Sequence, residues 1–219
     1  MERRIVTSAL CLALSACLFA EETEEVATGG PPPLELGEVE LRRPAGSGEP
    51  HLHVAPSGDV LLTWLEPVEE GRHALMLATR RDGAWSEPIR VRTSERFFVN
   101  WADFPSAVAM ADGTLAVHWL ERVAEAPYAY HVMISVSRDG GATWSEPIRA
   151  HRDDSATEHG FVSMVPWEEG AALVWLDGGR MAADARAGAM SLRFTTVGPD
   201  GATGGETELD DRTCECCQT

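Results

Sequence analysis

Apolar residues fall in short runs of strand length separated by glycine-rich turns, and after the first 20 residues no segment keeps a helical period. Three segments share one plan. Pro50 to Trp64, Pro105 to Trp119 and Gly160 to Trp175 each read strand, glycine-containing turn, strand, a hairpin by pattern. Their closing tryptophans, Trp64, Trp119 and Trp175, stand 55 and 56 residues apart. A second strand pair follows each hairpin, opened by the runs 75–79, 131–137 and 190–196. Four strands per repeat predict one radial sheet, or propeller blade, for each. The inner strands are continuous apolar runs, as expected where neighbouring sheets cover both faces.

The turns carry a motif of their own. Ser137-Arg138-Asp139-Gly140-Gly141-Ala142-Thr143-Trp144 reads Ser-x-Asp-x-Gly-x-Thr-Trp, and its tail Trp-Ser-Glu-Pro-Ile-Arg repeats at Trp85 to Arg90. The earlier copy follows a shortened turn through Asp82 and Gly83, and a third turn, Pro199 to Thr203, lacks the tryptophan. The Asp side chain is suited to accept backbone N–H bonds across the turn, glycines supply positive φ, and the Trp packs between sheets. This pattern resembles the Asp-box (BNR) repeat of sialidases and related β-propellers. The resemblance assigns structural roles to Ser137, Asp139, Gly141, Thr143 and Trp144, and to Asp82, Gly83 and Trp85. It implies an all-β fold with four antiparallel strands per blade.

The expected blades are 48–98, 99–153 and 154–211, within a partial propeller spanning 47–219, and a fourth blade is expected to start at 212–219. Propellers close with about 4–8 blades. Three blades therefore suggest the N-terminal half of a longer, six-bladed protein.

Charge and the N-terminus set the address. The formal net charge is −17, and all 18 basic residues are arginine. Such acidity excludes the basic footprint that nucleic-acid binding needs, and disfavours anionic sugars unless arginines are focused locally. Residues 1–16 read as a signal peptide whose apolar core is too short to span a bilayer. Leu14-Ser15-Ala16-Cys17 resembles a bacterial lipobox, which implies a lipid anchor on Cys17; an ordinary secretory signal cut near Ala20 is the alternative. Residues 17–46, acidic and proline-rich, read as a solvated tether. The expected location is exported and membrane-anchored, periplasmic or at the cell surface, with no membrane contact other than through the anchor.

Candidate chemistry lies where the chain enters each inner strand, because those entries line one end of a propeller's channel. The first entry holds Glu49, His51 and His53, the second Trp101 and Asp103, the third Glu158 and His159. Asp103, Glu158 and His159 are the candidate catalytic residues, with Asp103 as general acid/base and Glu158 as its carboxylate partner. Trp101 is read as packing between blades, with stacking on a sugar ring as the alternative. Sialidases open their first blade with Arg-Ile-Pro, and Gly48-Glu49-Pro50 stands there instead, so the substrate-gripping arginine is missing. Cys214, Cys216 and Cys217 crowd three thiols into four residues. They are read either as disulfide or free thiols or as ligands of a soft metal, helped by His159 or His51. No other cofactor is called for.

Three functions follow. The first is a sialidase-like propeller lipoprotein that acts on or recognises glycans, with exo-glycosidase chemistry if it is an enzyme. The second is a non-enzymatic module binding a glycan or protein. The third is a metal- or redox-linked propeller built around the cysteine cluster.

Overall fold

The computed structural model describes residues 37, 38, 40–183 and 188–213. The signal peptide, Cys17 and the cysteines at 214, 216 and 217 lie outside the described residues, as does most of the tether. The described chain is all-β, built from three consecutive antiparallel sheets. The first contains β1 (Gly48–Val54), β2 (Val60–Glu69), β3 (Arg72–Arg81), β4 (Ala84–Trp85) and β5 (Ile89–Ser94). The second contains β6 (Ser106–Ala109), β7 (Leu115–Arg122), β8 (Tyr130–Ser137) and β9 (Ile148–Arg149). The third contains β10 (His159–Trp167), β11 (Gly170–Asp177), β12 (Met190–Val197) and β13 (Thr207–Thr213), with the short helix α1 (Gly179–Ala183) after β11. Strand order follows sequence order in the second and third sheets.

In the first sheet the outer strand is broken, because β4 and β5 both pair with β3 on either side of Ser86-Glu87-Pro88. Proline has no N–H to give a ladder. The serine beside it supplies a substitute: Ser86 Oγ accepts the Thr79 N–H at 3.1 Å, and Ser145 Oγ accepts the Val136 N–H at 3.1 Å in the second sheet. The repeated Trp-Ser-Glu-Pro thus leads into the outer strands β5 and β9 in the same way. Residues 212 and 213, expected to open a fourth blade, instead complete β13. Thr213 pairs with Met190.

The turns are built locally. Asp82 and Gly83 have φ of 51° and 84°, the pair of positive values that a two-residue hairpin needs. At the longer turn, Asp139 Oδ1 accepts the Thr143 N–H (2.8 Å), Asp139 Oδ2 accepts the Thr143 hydroxyl (2.6 Å), and Ser137 Oγ accepts the Gly141 N–H (2.8 Å). The Trp144 indole N–H then donates to Gly141 O at 3.0 Å. The Thr143 hydroxyl and N–H, with the Ser137 hydroxyl donating at 2.8 Å, hold the Asp139 carboxyl down at about 2.

Packing repeats as well. Trp119 lies in the apolar layer between the first two sheets with Leu61, Leu75 and Leu77, and Trp175 in that between the second and third with Val108, Ile134 and Val162. Trp64 occupies the corresponding face of the first sheet, against Met76 and Leu41. Each indole N–H donates to the acidic side chain two residues on: Trp64 to Glu66 (3.2 Å), Trp119 to Glu121 (3.1 Å) and Trp175 to Asp177 (3.0 Å). A Trp-Leu-acid triplet therefore recurs in the second strand of each sheet, burying a large ring while satisfying its polar edge.

Candidate functional site

A cleft of about 720 Å³ opens between the second and third sheets, at the end where β6, β8 and β10 begin. Asp103 and Glu158 both line it, and so does Trp101. The entry to β1 does not take part: His51 stacks on Phe104 (5.3 Å, 10° between rings), and neither it nor His53 reaches the cleft. Among the described residues, two strand entries line the site.

Asp103 is delivered by a tight turn. Asn100 Oδ1 accepts the Ala102 N–H at 2.9 Å, and the Asp103 N–H bonds to Asn100 O at 3.2 Å. The side chain is only 6% exposed, and its Oδ1 accepts the Phe161 N–H at 2.8 Å. That donor is available because β10 bulges between Gly160 and Ser163, with Phe161 at φ 51°. Positive φ is uncommon for a bulky side chain, and such strain concentrates at functional sites. Burial pushes the Asp103 carboxyl above its ordinary value, and the Phe161 N–H offsets this only in part.

Tyr130 forms the cleft floor. It stacks on Phe98 (ring centroids 4.0 Å apart), is 1% exposed, and donates its hydroxyl proton to Glu158 Oε1 at 2.8 Å. Burial, then the nearby Asp103 and Glu158 carboxylates, raises its phenol well above the usual value. Gly160 is where these groups meet. A Cβ there would stand 2.9 Å from Tyr130 Cε2 and 3.0 Å from Asp103 Oδ1, so a larger residue would displace the ring or the carboxylate. Trp101, expected between blades, instead stands 90% exposed at the cleft lip beside Tyr128. Among the described residues, no arginine or lysine lines the cleft.

His159 was grouped with Asp103 and Glu158 from sequence, but it is fully buried and does not line the cleft. Alternation along the chain turns it away from the face that Glu158 presents. Its Nδ1 faces Tyr130 O and Thr157 O, both at 3.1 Å, and its Nε2 faces Asp153 Oδ2 at 3.3 Å and Asp177 Oδ2 at 3.7 Å. His151 stacks on it in parallel (4.0 Å, 4°), and the His131 ring lies 5.2 Å away. Sequence reading missed Tyr130, His131, His151, Asp153 and Asp177. Asp177 had a signal in the Trp-Leu-acid triplet; Tyr130 and His131 come from the start of β8, and His151 and Asp153 from the loop between β9 and β10.

The fold and site define an all-β protein of stacked antiparallel sheets with a carboxylate-bearing cleft. No protein-family model matches the chain, and no curated protein does. Among solved structures, a protein of unknown function from Dyadobacter fermentans matches at 15% identity and TM-score 0.52, over 73% of this chain and 41% of its own. An alpha-L-arabinanase from Penicillium chrysogenum matches at 15% identity and TM-score 0.48, over 78% of this chain and 50% of its own. A Hadza microbial sialidase matches at 25% identity and TM-score 0.40, over 77% and 34%. The chain spans half or less of each of these three solved chains.

Proposed function

We propose that the cleft between the second and third sheets binds and hydrolyses a neutral glycan, as part of an exported sialidase-like propeller. One observation carries this reading: two carboxylates, Asp103 and Glu158, meet over the Tyr130 floor in a cleft with an exposed Trp101 at its lip. Glycoside hydrolysis needs two carboxyl groups flanking the bond, one of them kept protonated. Burial favours the protonated form of Asp103, so Asp103 donates a proton to the leaving oxygen as the glycosidic bond breaks. Glu158, held by the Tyr130 hydroxyl, either takes a proton from water or attacks the anomeric carbon itself. Trp101 supplies a flat apolar face for a sugar ring.

Sialosides fit less well. Among the described residues no basic side chain lines the cleft to pair with a sugar carboxylate, and the protein's net charge of −17 repels one. Purified protein should release reducing sugar from neutral glycosides and not from sialosides, and Asp103→Asn should reduce turnover by about 10²–10⁴-fold. Undiminished turnover in Asp103→Asn would remove the assignment. A second reading, glycan binding without turnover, is favoured by the near-complete burial of Asp103. Ligand binding that depends on Trp101, with no hydrolysis by any variant, would select it.

A further inference from the structure

Behind the cleft, the cluster around His159 has the donor pattern of a metal centre. Tyr130 O and Thr157 O can only accept, so the histidine's Nδ1 carries a hydrogen. Its Nε2 then points at two carboxylate oxygens, Asp153 Oδ2 at 3.3 Å and Asp177 Oδ2 at 3.7 Å. The first of these contacts is within hydrogen-bond distance. A tetrahedral ion held at about 2.1 Å by each ligand separates them by roughly 3.4 Å, between the two distances observed here.

We propose that Asp153 Oδ2, His159 Nε2 and Asp177 Oδ2 bind one divalent transition-metal ion between the second and third sheets. The mixture of imidazole and carboxylate donors suits zinc-class ions better than calcium or copper(I). The surrounding shell is built for it. Asp153 is clamped by the Ser155 N–H (2.9 Å) and hydroxyl (3.0 Å), and Asp177 by the Trp175 indole (3.0 Å) and the Gly179 N–H (3.0 Å). Ligand residues oriented in this way, with the far histidine nitrogen on a carbonyl, are the usual second layer of a metal site. A Cβ on Gly179 would stand 1.9 Å from Asp153 Oδ2, so glycine is required for that oxygen to take its place. His131 Nδ1 is buried nearby with no hydrogen-bond partner among the described residues, its ring 5.2 Å from that of His159.

His151 is excluded as a ligand. Its Nε2 accepts the Val132 N–H (3.3 Å), its Nδ1 bonds to Asp153 O (2.8 Å), and its ring lies parallel to that of His159. Metal bonds lie in the imidazole plane, so two parallel stacked rings do not converge on one ion. Asp153, with 28% of its side chain exposed, gives the ion a route in. The site rests on these residues alone, whatever reaction the cleft performs.

The test uses untagged protein, stripped with chelator and alkylated with iodoacetamide so that Cys214, Cys216 and Cys217 cannot take the metal. Calorimetric titration with zinc chloride should give one ion per chain. Asp153→Asn and Gly179→Ala should each weaken binding by at least about 100-fold. Imidazole ¹⁵N spectra of the wild-type protein should show zinc on Nε2 of His159, with the hydrogen retained on Nδ1. Failure of the wild-type protein to take up zinc, or a His159 that keeps protons on both nitrogens in excess zinc, would overturn the proposal, and the spectra decide it even if a variant does not fold.

Discussion

Acid should destabilise this protein through His118, and the size of the effect follows from its surroundings. His118 lies on β7 opposite Ser106 on β6, is 1% exposed, and its Nδ1 is 2.8 Å from the Ser106 hydroxyl. Burial, with a smaller contribution from His51, lowers it to about 3. In the unfolded chain a histidine titrates near 6.5. Below that pH the unfolded state binds a proton that the fold refuses, so stability falls as pH drops from about 6.5 towards about 3. The limiting slope is about 1.4 kcal/mol per pH unit, and the loss by pH 5 is about 2 kcal/mol. Urea denaturation of wild type and His118→Gln between pH 7.5 and 5 measures it. Replacing the histidine carries a constant cost, but the gap between the two proteins should close by about 2 kcal/mol on acidification. His131 and His151, lowered to about 4 and about 2 mainly by burial, act in the same direction and remain in both proteins. Parallel curves would refute the claim that His118 is neutral in the folded state.

Other outcomes follow from the packing and the site. Trp119→Ala should destabilise by about 3–5 kcal/mol in urea, since it empties the layer between the first two sheets and leaves Glu121 without its indole donor. Tyr130→Phe should lower kcat by roughly 10–100-fold with little loss of fold, because a hydrogen bond to a charged group is worth about 1.5–3 kcal/mol. Gly160→Ala should abolish turnover and cost about 1–3 kcal/mol, as its methyl group would press on Tyr130 and Asp103. Asp139→Asn should lower the melting temperature at neutral pH. That deficit should shrink as pH falls from near 4 through about 2, where the wild-type carboxyl loses its charge.

How much of this was legible in the sequence varied with how local the cause is. The three hairpins, their tryptophans and the turn at Ser137 to Trp144 are written in contiguous residues, and those segments form the elements that their patterns indicate. The cleft was half legible. Asp103 and Glu158 come together because each precedes the first strand of its sheet, which aligning the repeats revealed. Tyr130 begins the third strand of its sheet, a position that the inner-strand comparison did not sample. Trp101 and His159 exchanged places relative to expectation, one exposed at the lip and the other buried. The bulge at Gly160 and Phe161, which shapes the third entry, has no signature in hydrophobic alternation. The His159 cluster gathers β8, β10, β11 and the loop from Ala150 to Glu158, a convergence that only the folded chain displays.

The most direct test of the central claim is a crystal structure of Asp103→Asn soaked with a neutral oligosaccharide. A sugar ring should stack on Trp101, with a glycosidic oxygen beside residue 103 and the next ring over Tyr130 and Glu158. A saccharide bound on another face, with this cleft unoccupied, would contradict it.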